Sequence, residues 1–215
     1  MIKKVFLLLI IVLVFSTAVF ADGASDAVNN YFDNEKEYVD LAGFEWAEDA
    51  IYYLSEYGLI EDEKGYVRPQ NYISRAEFTK LIIGAFGLYD FDAKCDFEDV
   101  DVKSEYYQYI ASAYELGIIN GTRQGWFGME EYLLRQDMAT IIYRTIQKCG
   151  IRLDEKPVLD FADSEEIDGY AKEAVSALVG AKAVSGDENY CFLPKINANF
   201  AEACKIIYYI MIKNT

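Results

Sequence analysis

Apolar residues recur at intervals of three and four along six segments of the chain. In the first segment, Ala47, Ala50, Ile51, Leu54 and Tyr57 fall on one face of a helix, and a glycine follows. This spacing predicts an amphipathic α-helix, because a glycine just past the end supplies the left-handed conformation that terminates one. The other predicted faces are Phe78, Leu81, Ile82, Ala85 and Phe86; Tyr106, Tyr109, Ile110 and Ala113; Met138, Ile141, Ile142 and Thr145; Ala171, Ala174, Val175 and Leu178; and Ala203, Ile206, Ile207 and Ile210.

The six predicted helices belong to three copies of one unit. One slot in each copy fixes the register, and it holds Arg75, Arg135 and Phe200. The slots six and eight residues earlier hold Pro69, Met129 and Pro194, then Val67, Phe127 and Phe192. Each copy therefore reads as a helix, a turn, a short extended piece, a turn and a second helix. One such pair cannot bury its own apolar face, so the copies are predicted to pack together as one mainly all-α body.

The start of the chain has the pattern of an export signal. Two lysines precede an apolar run, Val5–Phe15, which is too short for a membrane span of about 20 residues, and small residues follow it. We predict a signal peptide over residues 1–21, with an uncleaved anchor as the alternative. The remainder divides into an N-terminal linker, 22–37, and repeats over 38–88, 95–151 and 158–215.

The charge of the chain argues against two classes of partner. The net charge is −16, and it becomes −18 without the two lysines of the signal peptide (18 basic residues against 36 acidic ones). Nucleic acids and anionic membranes are bound by neutralising phosphates with Lys and Arg, so neither is an expected partner.

The titratable residues carry no recognisable catalytic or metal chemistry. The chain has no histidine to serve as a general base or zinc ligand, and its cysteines form no CxxC pair. We therefore expect no enzyme activity, no cofactor and no metal. In an exported chain the cysteines can form disulfides in any of three pairings, or stay as buried thiols; they are Cys95, Cys149, Cys191 and Cys204.

Several short motifs, in register with the repeat, resemble the S-layer homology domain. They are Phe97-Glu98-Asp99-Val100, Trp46-Ala47, Gly117-Ile118-Ile119-Asn120-Gly121, Phe192-Leu193-Pro194 and Ser74-Arg75-Ala76-Glu77. The resemblance implies a pseudo-threefold assembly of three repeats, with grooves between them that bind a secondary cell wall polysaccharide, often a pyruvylated one. It also implies non-covalent anchoring of a secreted protein at the cell wall or S-layer of a Gram-positive-type bacterium. The third repeat is degenerate.

The arginine of the Ser-Arg-Ala-Glu motif is the main ligand residue that the resemblance implies. Ser74 and Glu77 are explained by a capping box at the start of the second helix, whereas a cap needs no arginine. The guanidinium of Arg75 suits a carboxylate such as that of a pyruvyl ketal. The alternative is a salt bridge to an acid of a neighbouring repeat. Repeat 2 keeps the arginine as Arg135, whereas repeat 3 has Phe200.

The remaining candidates each have a structural alternative. Trp46 either stacks on a sugar or fills the core. Asp40 and Asp99, with Asp163 in repeat 3, either cap the first helix or bind sugar hydroxyls, and capping is the preferred reading. Gly117 is a candidate from the glycine motif, but a tight turn is enough to explain it, so a structural role is the default interpretation.

A rival function follows from the degenerate third repeat. The fold could persist as an envelope scaffold, or as an interaction module for other surface proteins, that no longer binds polysaccharide.

Overall fold

The structure, a computed structural model, describes residues 37–153 and 157–213. The predicted signal peptide and nearly all of the predicted linker lie outside the described residues. The helices are α1 Glu45–Glu56, α2 Arg75–Ala85, α3 Tyr107–Glu115, α4 Arg135–Lys148, α5 Gly169–Gly180 and α6 Phe200–Lys213, with a 3₁₀ turn at Ser164–Glu166. Extended pairing within the described ranges is limited to isolated bridges, which confirms the all-α prediction. None of the helices described is long and apolar enough to cross a membrane.

The helix pairs that pack most extensively join different repeats. Helix α2 packs on α3, α4 packs on α5, and α6 packs on α1, so the last repeat closes on the first. Helix α2 also touches the second helices of the other two repeats, α4 and α6. Each helix-turn-helix unit therefore buries its apolar faces against its neighbours, as one repeat alone could not do.

A ring of backbone hydrogen bonds joins the three extended pieces before the second helices. The amide of Ile73 donates to the carbonyl of Ala198 at 3.0 Å, Ala198 donates to Leu133 at 2.8 Å, and Leu133 donates to Ile73 at 3.0 Å. These residues hold the same place in each repeat, so the ring has threefold pseudosymmetry. It fixes the starts of α2, α4 and α6 relative to one another.

The predicted apolar faces form the core. The first helix of repeat 1 is typical: Ala47, Ala50, Ile51 and Leu54 are fully buried. The prediction was wrong for Tyr57, which is 52% exposed. Helix α1 ends at Glu56, and Tyr57 lies at its cap with its ring against Tyr53 instead of in the core.

The starts of the second helices confirm one capping box and reveal another. The Ser74 hydroxyl accepts the Glu77 amide, and the Glu77 carboxylate accepts the Ser74 amide. Asn199 and Glu202 make the same reciprocal pair in repeat 3. The structure therefore has two complete capping boxes, whereas the sequence predicted one. In repeat 2, Leu134 provides no side-chain cap.

The preferred reading of the motif aspartates, as caps of the first helices, was wrong. The residues before α1, α3 and α5 are Phe44, Tyr106 and Asp168, and none makes a side-chain cap. Asp40, Asp99 and Asp163 instead accept backbone amides of the extended turn in their own repeat, around residues 67, 127 and 192. They brace the turn that precedes each second helix.

The four cysteines are free thiols. Cys204 is buried in α6, Cys149 is exposed at the end of α4, and Cys95 and Cys191 are partly buried. The sequence allowed either disulfides or buried thiols, and the cysteines are unpaired in the structure, although only Cys204 is fully buried. Burial raises the pKa of the Cys204 thiol, which makes it a poor nucleophile.

Candidate functional site

The arginine slot is the first residue of the second helix in every repeat, and it lies at a junction between repeats. The backbone amide of Arg75 donates to Glu131 at 2.9 Å, that of Arg135 donates to Ile196 at 3.0 Å, and that of Phe200 donates to Asn71 at 2.9 Å. Each acceptor belongs to the next repeat in the cycle. The three slots therefore have the same backbone setting, whatever side chain they carry.

Arg75 is held by the turn of repeat 2. Its Nε donates to the carbonyl of Phe127 at 3.0 Å, and its Nη2 donates to the carbonyl of Asn120 at 2.9 Å. The guanidinium lies 4.9 Å from the centre of the Phe127 ring, and the residue is only 8% exposed. Its hydrogen-bond partners are thus carbonyl oxygens, and within the described residues it forms no salt bridge to an acid of a neighbouring repeat.

Groups of repeats 2 and 3 surround this arginine of repeat 1, and we call the site the Arg75 groove. Burial lowers the pKa of Arg75, whereas the charges of Asp137, Glu131 and Asp99 act to raise it. Tyr170 of repeat 3 also acts to raise the pKa of Arg75, and its hydroxyl donates to Asp137 at 2.5 Å. A ligand carboxylate at this groove would meet one cation among several acids.

A buried glutamine fixes one wall of the Arg75 groove. Gln136 is 1% exposed, and its Nε2 donates to Asp168 at 2.7 Å and to the Tyr170 hydroxyl at 2.8 Å. Its oxygen accepts the backbone amide of Asp168 at 3.1 Å. The matching positions in the other repeats are Ala76 and Ala201. Among the described residues, these side-chain hydrogen bonds between α4 and the start of α5 therefore have no counterpart in the other two repeats.

Arg135 lies in a more open site, the Arg135 groove. Its Nε donates to the carbonyl of Phe192 at 3.0 Å, and its Nη1 pairs with Glu202 of repeat 3. A cavity of about 310 Å³ opens beside it, and Trp46 of repeat 1 also lines this cavity. The groove thus combines a guanidinium, an aromatic ring and a carboxylate from three repeats.

The structure separates candidates that lie together in the sequence motif. Trp46 lies with Arg135 and is 46% exposed, so it is not a core residue. Asp99 accepts the amides of Phe127, Gly128 and Met129. It thereby holds the turn whose Phe127 carbonyl accepts from Arg75. Burial raises the pKa of Asp99, but these three donors outweigh it and hold the value below the usual range.

The two remaining candidates, Asp40 and Gly117, have local backbone roles. Asp40 accepts the amides of Val67 and Arg68, so it braces the turn that faces Phe200. Gly117 ends α3 with a φ of 68°, in the left-handed region, and a Cβ there would meet open space. The tight-turn reading therefore accounts for Gly117 through its backbone.

Sequence reasoning missed the residues that complete each groove from another repeat. Asn120 and Phe127 act through backbone carbonyls, and Gln136 and Tyr170 act across the α4–α5 contact. A carbonyl acceptor leaves no mark in a sequence. The one available signal was Gln136, a polar residue in a slot where the other repeats have alanine.

The fold and its grooves define a class of protein: a closed three-repeat module with ligand-sized clefts beside Arg135 and Phe200. The model of the S-layer homology domain matches residues 37–79, 96–139 and 160–204, more than half of the chain. The chain belongs to this family.

Relatives with the same region are larger proteins. The chain is 29% identical to an amylopullulanase of Thermoanaerobacterium thermosulfurigenes over 85% of its own length and 10% of the relative. It is 28% identical to an endoglucanase of Bacillus sp. (strain KSM-635) over 96% of its length and 22% of the relative. The Surface-layer 125 kDa protein of Lysinibacillus sphaericus is 28% identical over 66% of the chain and 12% of the relative. The family and the surface-layer relative support a role in anchoring at the cell surface.

Proposed function

We propose that the chain anchors non-covalently to the cell surface by binding a secondary cell wall polysaccharide in its inter-repeat grooves. The observation that carries this proposal is the Arg135 groove, where Arg135 and Trp46 from different repeats line one cavity of about 310 Å³. A volume of this size accepts a small ligand such as one or two sugar residues.

The chemistry of the groove suits an acidic sugar. The guanidinium of Arg135 offers a planar set of donors for a carboxylate, and Trp46 offers a flat face for a sugar ring. Arg135 is paired with Glu202 in a site where both side chains are partly exposed, at 14% and 24%. We therefore expect a ligand carboxylate to replace Glu202 as the partner of Nη1, while Nε keeps its bond to the Phe192 carbonyl.

Arg75 is the second proposed ligand residue. Nε and Nη2 already hold the turn of repeat 2, so we expect a ligand carboxylate to bind through Nη1. Asp99 would act on the ligand only through the turn that it braces, and Gly117 only through the shape of the α3 end.

The test is a double-mutant cycle on the affinity for the purified wall polysaccharide, measured by calorimetry on residues 22–215. Arg135→Ala and Trp46→Ala share a groove, so their losses should be non-additive, with a coupling energy of about 0.5–3 kcal/mol. Arg75→Ala and Trp46→Ala belong to different grooves, so their losses should add to within about 0.5 kcal/mol. Additive losses for the first pair would overturn the shared groove.

The rival function, a module that binds another surface protein, is favoured by one exposed aromatic cluster. Phe91 is 83% exposed and packs edge-on against Tyr89, with ring centres 4.8 Å apart. A chain that binds no wall polysaccharide but captures a defined surface protein, and loses that capture with Phe91→Ala, would favour the rival.

A further inference from the structure

The junction between repeats 3 and 1 keeps an open groove although its arginine is absent. Phe200 stands in the arginine slot, beside a cavity of about 320 Å³ that we call the Phe200 groove. The Arg135 groove has a cavity of about 310 Å³, and the slot backbone is bonded in the same way in both. The replacement has therefore changed the chemistry of the site without closing it.

Aromatic rings line the Phe200 groove. Tyr66 and Tyr72 are 51% and 54% exposed, and the partly buried ring of Phe200 lies between the two repeats. The ring of Tyr72 is supported by an edge contact with Tyr132, with ring centres 5.5 Å apart. Exposed rings of this kind offer apolar faces on which the C–H face of a sugar can pack.

The charge of this groove is opposite to what an acidic sugar requires. The charged residues that line it are Glu61, Asp62, Glu63, Glu77 and Arg68. Those that line the Arg135 groove are Arg135, Lys205, Asp187 and Glu202. The formal charge is thus 1 − 4 = −3 in the Phe200 groove and 2 − 2 = 0 in the Arg135 groove. A ligand carboxylate would be repelled from the first.

The carboxylates of the Phe200 groove are already fixed in place. Glu61 pairs with Lys80, and Glu63 pairs with Arg68. Asp62 accepts the amide of Gly65 at 2.8 Å, and Glu77 belongs to the capping box of α2. No bound cation is needed to hold them. Because an ionised carboxylate has about four acceptor sites, each of these groups can also accept a sugar hydroxyl.

From the cavity, the exposed rings and the fixed acceptors, we infer that the Phe200 groove binds an uncharged sugar residue. Hydroxyl and amide N–H groups of the sugar would donate to the carboxylates, while its C–H face packs on Tyr66 or Tyr72. The inference rests on the proposed function, since the sugar would be part of the same wall polymer. The chain would then hold the polymer through two kinds of sugar, an acidic one at the arginines and an uncharged one at Phe200.

The test uses two probes: uncharged methyl N-acetyl-β-D-glucosaminide, and its 4,6-pyruvyl ketal, which carries a carboxylate and has no free 4- or 6-hydroxyl. Each is titrated into ¹⁵N-labelled chain (residues 22–215), and the amide shifts of Asn71 and Phe200 report on the Phe200 groove. We expect the uncharged glycoside to shift both amides, with an affinity at this site about tenfold or more above that of the ketal, a difference of about 1.4 kcal/mol. No saturable shift with the glycoside, or tighter binding of the ketal, overturns the inference.

Two variants taken from the sister repeats sharpen the test. Phe200→Arg restores the residue of repeats 1 and 2 and should abolish the preference for the uncharged probe. Tyr72→Asn introduces the residue at the matching position of repeat 3, Asn197, and should weaken binding of the uncharged probe about tenfold. Tyr190→Ala, at a 77% exposed position outside the lining of this groove, is the control and should change neither. An unchanged preference in Phe200→Arg contradicts the inference.

The two probes also separate this inference from the proposed function. If the ketal shifts no amide near Arg75 or Arg135 while the glycoside still shifts Phe200, binding of acidic sugar at the arginines fails and the uncharged site stands. If the ketal binds at the arginines and the glycoside leaves Phe200 unmoved, the proposed function stands and the uncharged site fails.

Discussion

Replacing Arg75 with alanine should destabilise the fold as well as remove a ligand contact. The guanidinium makes two hydrogen bonds to carbonyls of repeat 2, at 3.0 and 2.9 Å, and lies over the Phe127 ring. Hydrogen bonds from a charged donor contribute about 1.5–3 kcal/mol each, and a cation–π contact contributes about 0.5–2 kcal/mol, depending on its burial. Two effects offset part of this sum: burial of the guanidinium is unfavourable, and water can reach the freed carbonyls.

The net loss in the free energy of unfolding should be about 2–4 kcal/mol for Arg75→Ala. For a domain of this size, a loss of 3 kcal/mol corresponds to a Tm about 6–12 °C lower. Urea unfolding followed by circular dichroism measures the free energy directly, and an unchanged m-value would show that the unfolded reference is the same. The matched control is Arg152→Ala, at an exposed position, which should change stability by less than about 0.5 kcal/mol.

A value for Arg75→Ala as small as that of the control would refute the reasoning, because it would mean that the two carbonyl bonds contribute nothing. A large value has a consequence for function. Loss of wall binding in Arg75→Ala can be attributed to the ligand contact only at a temperature where the variant is fully folded.

Three further predictions follow from single contacts. Asp99→Asn should lose about 1.5–3 kcal/mol at pH 7, because one carboxylate accepts three amides. Because the pKa of Asp99 is lowered in the folded state, the stability difference between wild type and Asp99→Asn should be complete above the unfolded pKa of about 3.9. It should vanish as the pH falls through the folded pKa, and a difference that persists in strong acid contradicts this. Gln136→Ala should lower the free energy of unfolding by about 1–3 kcal/mol, because Asp168 and Tyr170 lose their buried partner. The control, Gln147→Ala at an exposed position, should leave the Tm unchanged in the same thermal melts. Gly121→Ala should lower the free energy of unfolding by about 1–3 kcal/mol, because a Cβ would lie 2.5 Å from the Trp126 carbonyl oxygen. At Gly169 a Cβ would meet no atom within 4 Å, so equal stability of Gly121→Ala and Gly169→Ala would refute the clash.

The sequence predicts the helices well because their periodicity records burial directly. Ile51, Ile82, Ile142 and Ile207 are each predicted on an apolar face, and each is nearly or fully buried. Tyr57 fails because the helix ends one residue before it, and periodicity alone does not mark an end. The capping box at Ser74 is predicted from local spacing, whereas the box at Asn199 has the same spacing but was not predicted as complete.

The sequence predicts the grooves less well because they are built across repeats. Trp46 belongs to the same repeat as Arg75 but lies in the groove of Arg135, since α1 packs on α6. Nothing in a single repeat specifies which neighbour its first helix will join. The aspartates were misjudged for a related reason: Asp99 acts on backbone amides about thirty residues away, and no side-chain pattern marks those amides.

The most direct test of the account is co-sedimentation of residues 22–215 with sacculi from the organism that encodes the chain. Wild-type protein should pellet with intact sacculi and stay in solution after the wall polysaccharide has been extracted. Arg135→Ala should pellet less, at a temperature where a melt shows it folded. Equal pelleting before and after extraction, or no pelleting with intact sacculi, would contradict the claim that the inter-repeat grooves hold a wall polysaccharide.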